Sequence, residues 1–198
     1  MQEYNLSAVA VPIGGLVAVA PYAAENVLAD TEMGETPLTL PAAYEMLGLV
    51  KQDGAPQHQR ESGDAIEFWQ KGPKLPGEGT RAVQVNLAEN TPAVLKLTEG
   101  KTPDANGIIY VDSNLPDAKV LMFLAEKFKG GAEDRYNGAA QVTAIEVDQG
   151  TRGEVRGRSV TLTWTEDPLF REPGTGIDSP FKMWHGRPAA TVPPASGE

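Results

Sequence analysis

The side chains that could do chemistry are few, and their spacing does not gather them. There are two histidines, His58 and His185, each in a polar or Pro/Gly-rich segment and far apart along the chain. Neither has a partner at metal-ligand spacing, and no His-Glu-x-x-His occurs, so both read as solvated. The chain has no cysteine, which excludes disulfides, thiolate metal sites and a thiol nucleophile. No Gly-x-Ser-x-Gly nucleophile turn is present, and no complete phosphate-binding loop. Gly77-Glu78-Gly79 lacks a strand-to-helix context and reads as a loop. Asp104-x-Asn106-Gly107 hints at a calcium loop, but its glycine stands at the fourth position and not the sixth, so it reads as a turn. Asp112 and Asp117 flank a loop and could form a carboxylate pair, although nothing selects them from other acids. Arg152, Arg156 and Arg158 lie close together with Asp148 and Glu154 between them. They fit either an anion site or a hairpin tip that makes salt bridges between subunits. This inventory gives no reaction, cofactor or metal, and the chain is expected not to be an enzyme.

The elements around these residues are short. Of 198 residues, 40% are apolar, 21 are Gly and 16 are Pro, which favours a mainly β chain with many turns over a helical bundle. Residues 8–11 and 16–20 read as two strands joined tightly through Pro12-Ile13-Gly14-Gly15. Residues 21–40 read as a loop or arm from which no packed core could be built. Residues 40–48 resemble one or two helical turns between Pro41 and Gly48, with a short strand at Leu49-Val50. Residues 51–64 form a polar loop around Asp53-Gly54. Residues 65–69 read as a strand and 72–79 as a Gly/Pro loop. Residues 81–87 alternate cleanly and predict a strand. Asn90 or Thr91 can then cap a helix with Pro92 at its first position, and Gly100 ends it. Residues 108–111, 139–147 and 159–165 read as strands, while 118–128 fits either a strand or a helix. From Glu166 the pattern fades. Residues 167–198 read as an extension, partly disordered, in which Phe181 and Trp184 suggest docking on this subunit or on a neighbour.

Charge narrows the partners. The formal net charge is −10, the opposite of the clustered Lys and Arg that grip nucleic acid. Residues 1–50 carry Glu3, Glu25, Asp30, Glu32, Glu35 and Glu45 but no Lys or Arg, an asymmetry that could draw subunits together head to tail. The apolar run at 8–24 is interrupted by Pro12, Gly14, Gly15 and Pro21, so no membrane helix is expected there. No secretory signal is visible.

The order of the segments resembles the major tail (tail tube) proteins of long, non-contractile-tailed phages. Gly15-Leu16-Val17-Ala18-Val19-Ala20-Pro21 is similar to that family's early strand ending in Ala-Pro. An arm then leads to residues 42–47 and to Gly48-Leu49-Val50-Lys51-Gln52-Asp53-Gly54. Residues 65–72 resemble the strand with a Trp that follows, and 83–95 the strand-to-helix step. Residues 107–111, 119–128, 135–146 and 160–164 look like the closing antiparallel strands, and this context turns 118–128 to strand. The resemblance covers roughly residues 6–166.

It implies an antiparallel β-sandwich or half-barrel with one flanking helix over residues 1–166. It also implies homo-hexameric rings that stack into a tube around a tape-measure protein, ended by tail terminator and tip proteins. DNA passes through the lumen without specific binding, and the protein is located in the virion tail after assembly in the host cytoplasm. The arm and the polar loop would be ordered by neighbouring subunits. The candidate intersubunit residues are Glu25, Asp30, Glu32, Glu35, Asp53, Arg60, Arg152, Arg156, Arg158, Phe181 and Trp184. Two other readings are open, another virion component (a head–tail connector or a capsid decoration protein) and a β-sandwich ligand-binding module using Trp69, Trp164 or Trp184.

Overall fold

The computed structural model describes residues 9–188. The described residues are mainly β with one α-helix. Its central strands are β1 (Pro12–Pro21), β6 (Gly79–Leu87), β7 (Val120–Phe128), β8 (Glu133–Val147) and β9 (Arg158–Trp164). With β2 (Glu45–Met46) and β3 (Gln57–Ser62) they run in the order β2-β1-β7-β8-β9-β6-β3, all antiparallel.

Alternation decides which side is the core. Val83, Val85 and Leu87 of β6 are at most 1% exposed, and they meet Val17, Met122, Leu124, Val160, Leu162 and Trp164 in one apolar cluster. Each such side chain contributes about 1.5–3 kcal/mol on burial. The sheet curls around this cluster into a barrel, and residues 45–51 close it. Met46 pairs with Ala18, and the Leu47 N–H donates to the Val17 carbonyl at 2.9 Å. On the other side, Val50 bridges Leu87 and the Lys51 N–H donates to the Asn86 carbonyl at 2.9 Å.

The helix α1 (Pro92–Glu99) plugs one end of the barrel with Val94 and Leu97. Eight residues are too few to hold a helix without tertiary burial. Its ends follow the sequence expectation. Thr91 accepts from the Val94 N–H, Pro92 opens the first turn, and Gly100 closes it in the left-handed region.

Four segments depart from the sequence expectation. Residues 9–11, expected within a first strand, belong to no strand, and the expected connection at 12–15 is instead part of β1, with a bulge between Pro12 and Gly14. Residues 41–48 are a turn followed by β2 and not helical turns, because pairing with β1 outweighs a weak helical preference. Part of the polar 51–64 loop is β3, an edge strand along β6 with both faces largely wet. Residues 108–111, expected as a strand, lie in an exposed connection with no strand partner.

The arm also differs. Leu28 and Met33 are 0% and 3% exposed, packed on Phe123 and Ala125 on the outer face of the sheet. Residues 22–44 therefore cover one outer face with a second, smaller core, where the sequence had suggested nothing to pack. The extension is ordered over its described part. β10 (Asp167–Arg171) pairs with β11 (Asp178–Ser179), and β12 (Phe181–Gly186) lies along β8. Gly138 permits that approach, since a Cβ there would stand 2.3 Å from the Phe181 Cβ. The disorder expected for 189–198 falls outside the described residues.

Candidate functional site

The concave face of the sheet carries its most concentrated charge at the end away from α1. Glu126 of β7 and Asp134 of β8 stand directly opposite each other. Glu126 Oε2 lies 3.0 Å from His58 Nε2 of β3, and Asp134 Oδ1 lies 2.5 Å from His185 Nδ1 of β12. Both histidines, expected to be free in solvent, are paired with carboxylates. Sequence spacing missed the pairing because it depends on β3 folding over the barrel end and β12 returning along β8. The His58 ring also packs on Tyr136 at 4.7 Å. Burial, with the Asp134 and Glu126 charges adding, pushes the Tyr136 phenol up to about 12. Among the described residues, no group of three or more such side chains is placed to hold a metal ion.

On the outer face, two buried polar side chains of β8 fasten the arm. Asn137, 0% exposed, accepts from the Leu28 N–H at 3.2 Å and donates to the Tyr44 hydroxyl at 2.7 Å and the Met122 carbonyl at 3.3 Å. Arg135 donates to the Met33 and Glu35 carbonyls at 3.0 and 2.7 Å, binds Glu133, and lies over the Trp184 ring. Lys182 of β12 donates to the Leu28 carbonyl and pairs with Asp30 at 2.7 Å. Burial pushes the Tyr44 phenol up to about 12 against the opposing bond from Asn137.

The sequence-derived contact residues are thus dispersed. Asp30 is bound to Lys182, and Glu32 accepts from the Ala29 N–H at 2.8 Å. Glu25 and the Glu35 residue are exposed. Asp53 lies 3.7 Å from Lys51. Arg60 stands opposite Arg81 across β3 and β6. Arg158 binds Glu99 at 2.7 Å and Asn90 at 3.0 Å within the same chain. Arg156 donates to the Asp148 carbonyl, and Arg152 is exposed at the hairpin tip between β8 and β9. Phe181 and Trp184 dock on their own domain, Phe181 against Tyr136 and Trp164 and Trp184 against Arg135 and Gly34.

The same hairpin is anchored by Asp148. It accepts from Lys51 Nζ at 2.7 Å and from the Gly157 N–H at 3.2 Å. Lys51, the Gly157 N–H and Asn86 hold the Asp148 carboxyl below the usual carboxylate range, and Asp148 in turn raises the Lys51 ammonium.

Other motifs resolve as structure. Gly100-Lys101-Thr102 matches the last three positions of a phosphate loop. Leu95 stands where the first glycine is required, and the tripeptide ends a helix where a phosphate loop opens one. Lys101 is engaged by the Tyr110 carbonyl and Asp112. Asp104 accepts from the Asn106 and Ile108 N–H groups at 2.8 Å each and forms a turn, its carboxyl held low by those bonds. Trp164 is core at 5% exposure. With Trp184 packed on Arg135, Trp69 alone of the three tryptophans stands in solvent, 96% exposed.

The remaining features are unpaired edges and apolar surface. Among the described residues, the β7-side edge of β8 has no strand partner past Ala140, at residues 141–147. Among the described residues, the outer edge of β1 is paired at residues 17–19 and unpaired at 12–16. There β1 and residues 48–56 splay into a groove of about 540 Å³, rimmed by exposed Ile13 and Leu49. β3 and β6 extend into a separate hairpin, β4 (Ile66–Glu67) and β5 (Lys74–Leu75), which carries exposed Ile66, Phe68, Trp69 and Leu75. No known protein family matches the chain, and a search of curated proteins finds no relative.

Proposed function

We propose that this protein is a structural subunit that completes itself by assembly, the major tail tube protein of a long, non-contractile phage tail. What supports the reading is the set of strand edges left without a partner among the described residues, β1 at 12–16, β8 at 141–147 and the side of β3 away from β6. An unpaired edge is a template for another strand, and closed rings of identical subunits remove it. In this reading six copies form a ring and rings stack around a tape-measure protein, with terminator and tip proteins at the ends. The net charge of −10 suits a conduit along which DNA slides without adhering. The resemblance in segment order supplies the step from self-assembling subunit to tail tube.

Sedimentation velocity over a concentration series tests this. A tube subunit gives ring-sized and larger species as concentration rises. A capsid decoration protein stays a monomer or trimer, and a ligand-binding module stays a monomer at every concentration.

A further inference from the structure

Two surfaces of the chain lack partners of their own and match each other. One is the β4–β5 hairpin. Its core-facing contacts are absent from the described structure, residues 61–76 are all exposed, and its tip presents Phe68 and Trp69 at 51% and 96% exposure. Monomeric proteins rarely leave so many large apolar side chains together in water. The other is the groove between β1 and residues 48–56, where Ile13 and Leu49 are 66% and 70% exposed. Val17 spends its outward carbonyl on Leu47. Gly15, two residues earlier, turns its backbone to the same open side, and a Cβ on Gly14 would meet nothing within 4 Å. The groove therefore offers apolar surface and a strand edge at once.

Charge agrees with this match. Residues 9–17 are uncharged, and the carboxylates beside the groove are Glu126, opposite Gly15, and Glu89, which accepts from the Leu49 N–H. The one lysine lining the groove, Lys51, is bound to Asp148. The hairpin brings Lys71 and Lys74 next to Trp69, with Lys74 on Glu67. The hairpin tip from Phe68 to Lys74 is aromatic and carries two lysines and no acid, with Glu61, Asp64 and Glu78 set back at its base, and it matches an apolar slot with carboxylates at its side.

We infer that the β4–β5 hairpin of one copy docks in the β1 groove of the next copy, with Trp69 as the anchor. The contact is heterologous, with knob and groove on different surfaces of each copy, so in the assembly reading it propagates as a stack or closes as a ring. This rests on the self-assembly reading and names its surface. An anchoring tryptophan in such a contact is the kind of residue whose loss dominates affinity.

The test uses full-length Trp69→Glu and Ile13→Lys, both at exposed positions, so thermal unfolding followed by circular dichroism should match wild type. Alone, each variant should stop at a discrete particle where wild type extends. Mixed in equal amounts, they should give a particle of twice that mass that does not extend, because one intact knob meets one intact groove. Mass photometry reads both results. Extension of either variant to wild-type size, or a mixture without the doubling, overturns the docking while leaving self-assembly standing. Wild-type protein that never assembles overturns both.

Discussion

Glu126 and Asp134 face each other across β7 and β8, and each is bound to one of the chain's two histidines. Like charges directly opposite on a sheet destabilise it, and here each carboxylate also has an imidazole nitrogen within hydrogen-bond distance. His58 also ties β3, an edge strand, to β7, two strands that are not neighbours in the sheet. It thereby aims the hairpin that β3 carries.

His58→Ala should cost about 0.5–1 kcal/mol of stability, the scale of one partly exposed hydrogen bond. Amide exchange across Gln57–Ser62 should accelerate while β7, β8 and β9 keep their protection. Hydrogen-exchange mass spectrometry measures this, and an unchanged β3 would show that the pairing with β6 alone holds the strand.

Asn137 joins the sheet to the arm through Leu28 and Tyr44. Asn137→Ala should cost about 2–3 kcal/mol, because it strands a buried Leu28 N–H. Urea unfolding gives the number. Proteolysis within residues 22–44 should speed up in the same variant. A loss below about 0.5 kcal/mol would mean that Leu28 and Met33 hold the arm by burial alone.

Why the arm escaped the sequence reading follows from its composition. Leu28 and Met33 are isolated among Asp, Glu, Thr and Gly with no period, and their burial depends on Asn137 and Arg135, more than a hundred residues later. β3 was equally hidden. Gln57-His58-Gln59-Arg60-Glu61-Ser62 has no apolar alternation because neither of its faces is core. By contrast, β6 and α1 were legible because alternation and cap residues are local signals, and the mainly β class followed from the frequent Gly and Pro turns. The carboxylate–histidine pairs and the open edges were not legible, since each is a relation between strands distant in sequence.

The Lys51–Asp148 anchor should have a pH window. Asp148 titrates lower in the folded chain, so its contribution is present above the unfolded carboxylate pKa and is lost as pH falls through the lowered value. Lys51 titrates higher, so its contribution is present below the unfolded amine pKa and is lost as pH rises through the raised one. The hairpin at 148–157 should stay fixed across the neutral range and loosen in acid. NMR amide shifts of Gly157 followed against pH report it. Asp148→Asn should abolish the acid transition, and an acid transition that survives the substitution would assign it to another group.

The central claim is that one copy is incomplete and is finished by others. Negative-stain microscopy of the purified full-length chain at high concentration tests it most directly. Stacked rings or tubes are the expected result. A field of single dispersed copies at every concentration would contradict the account.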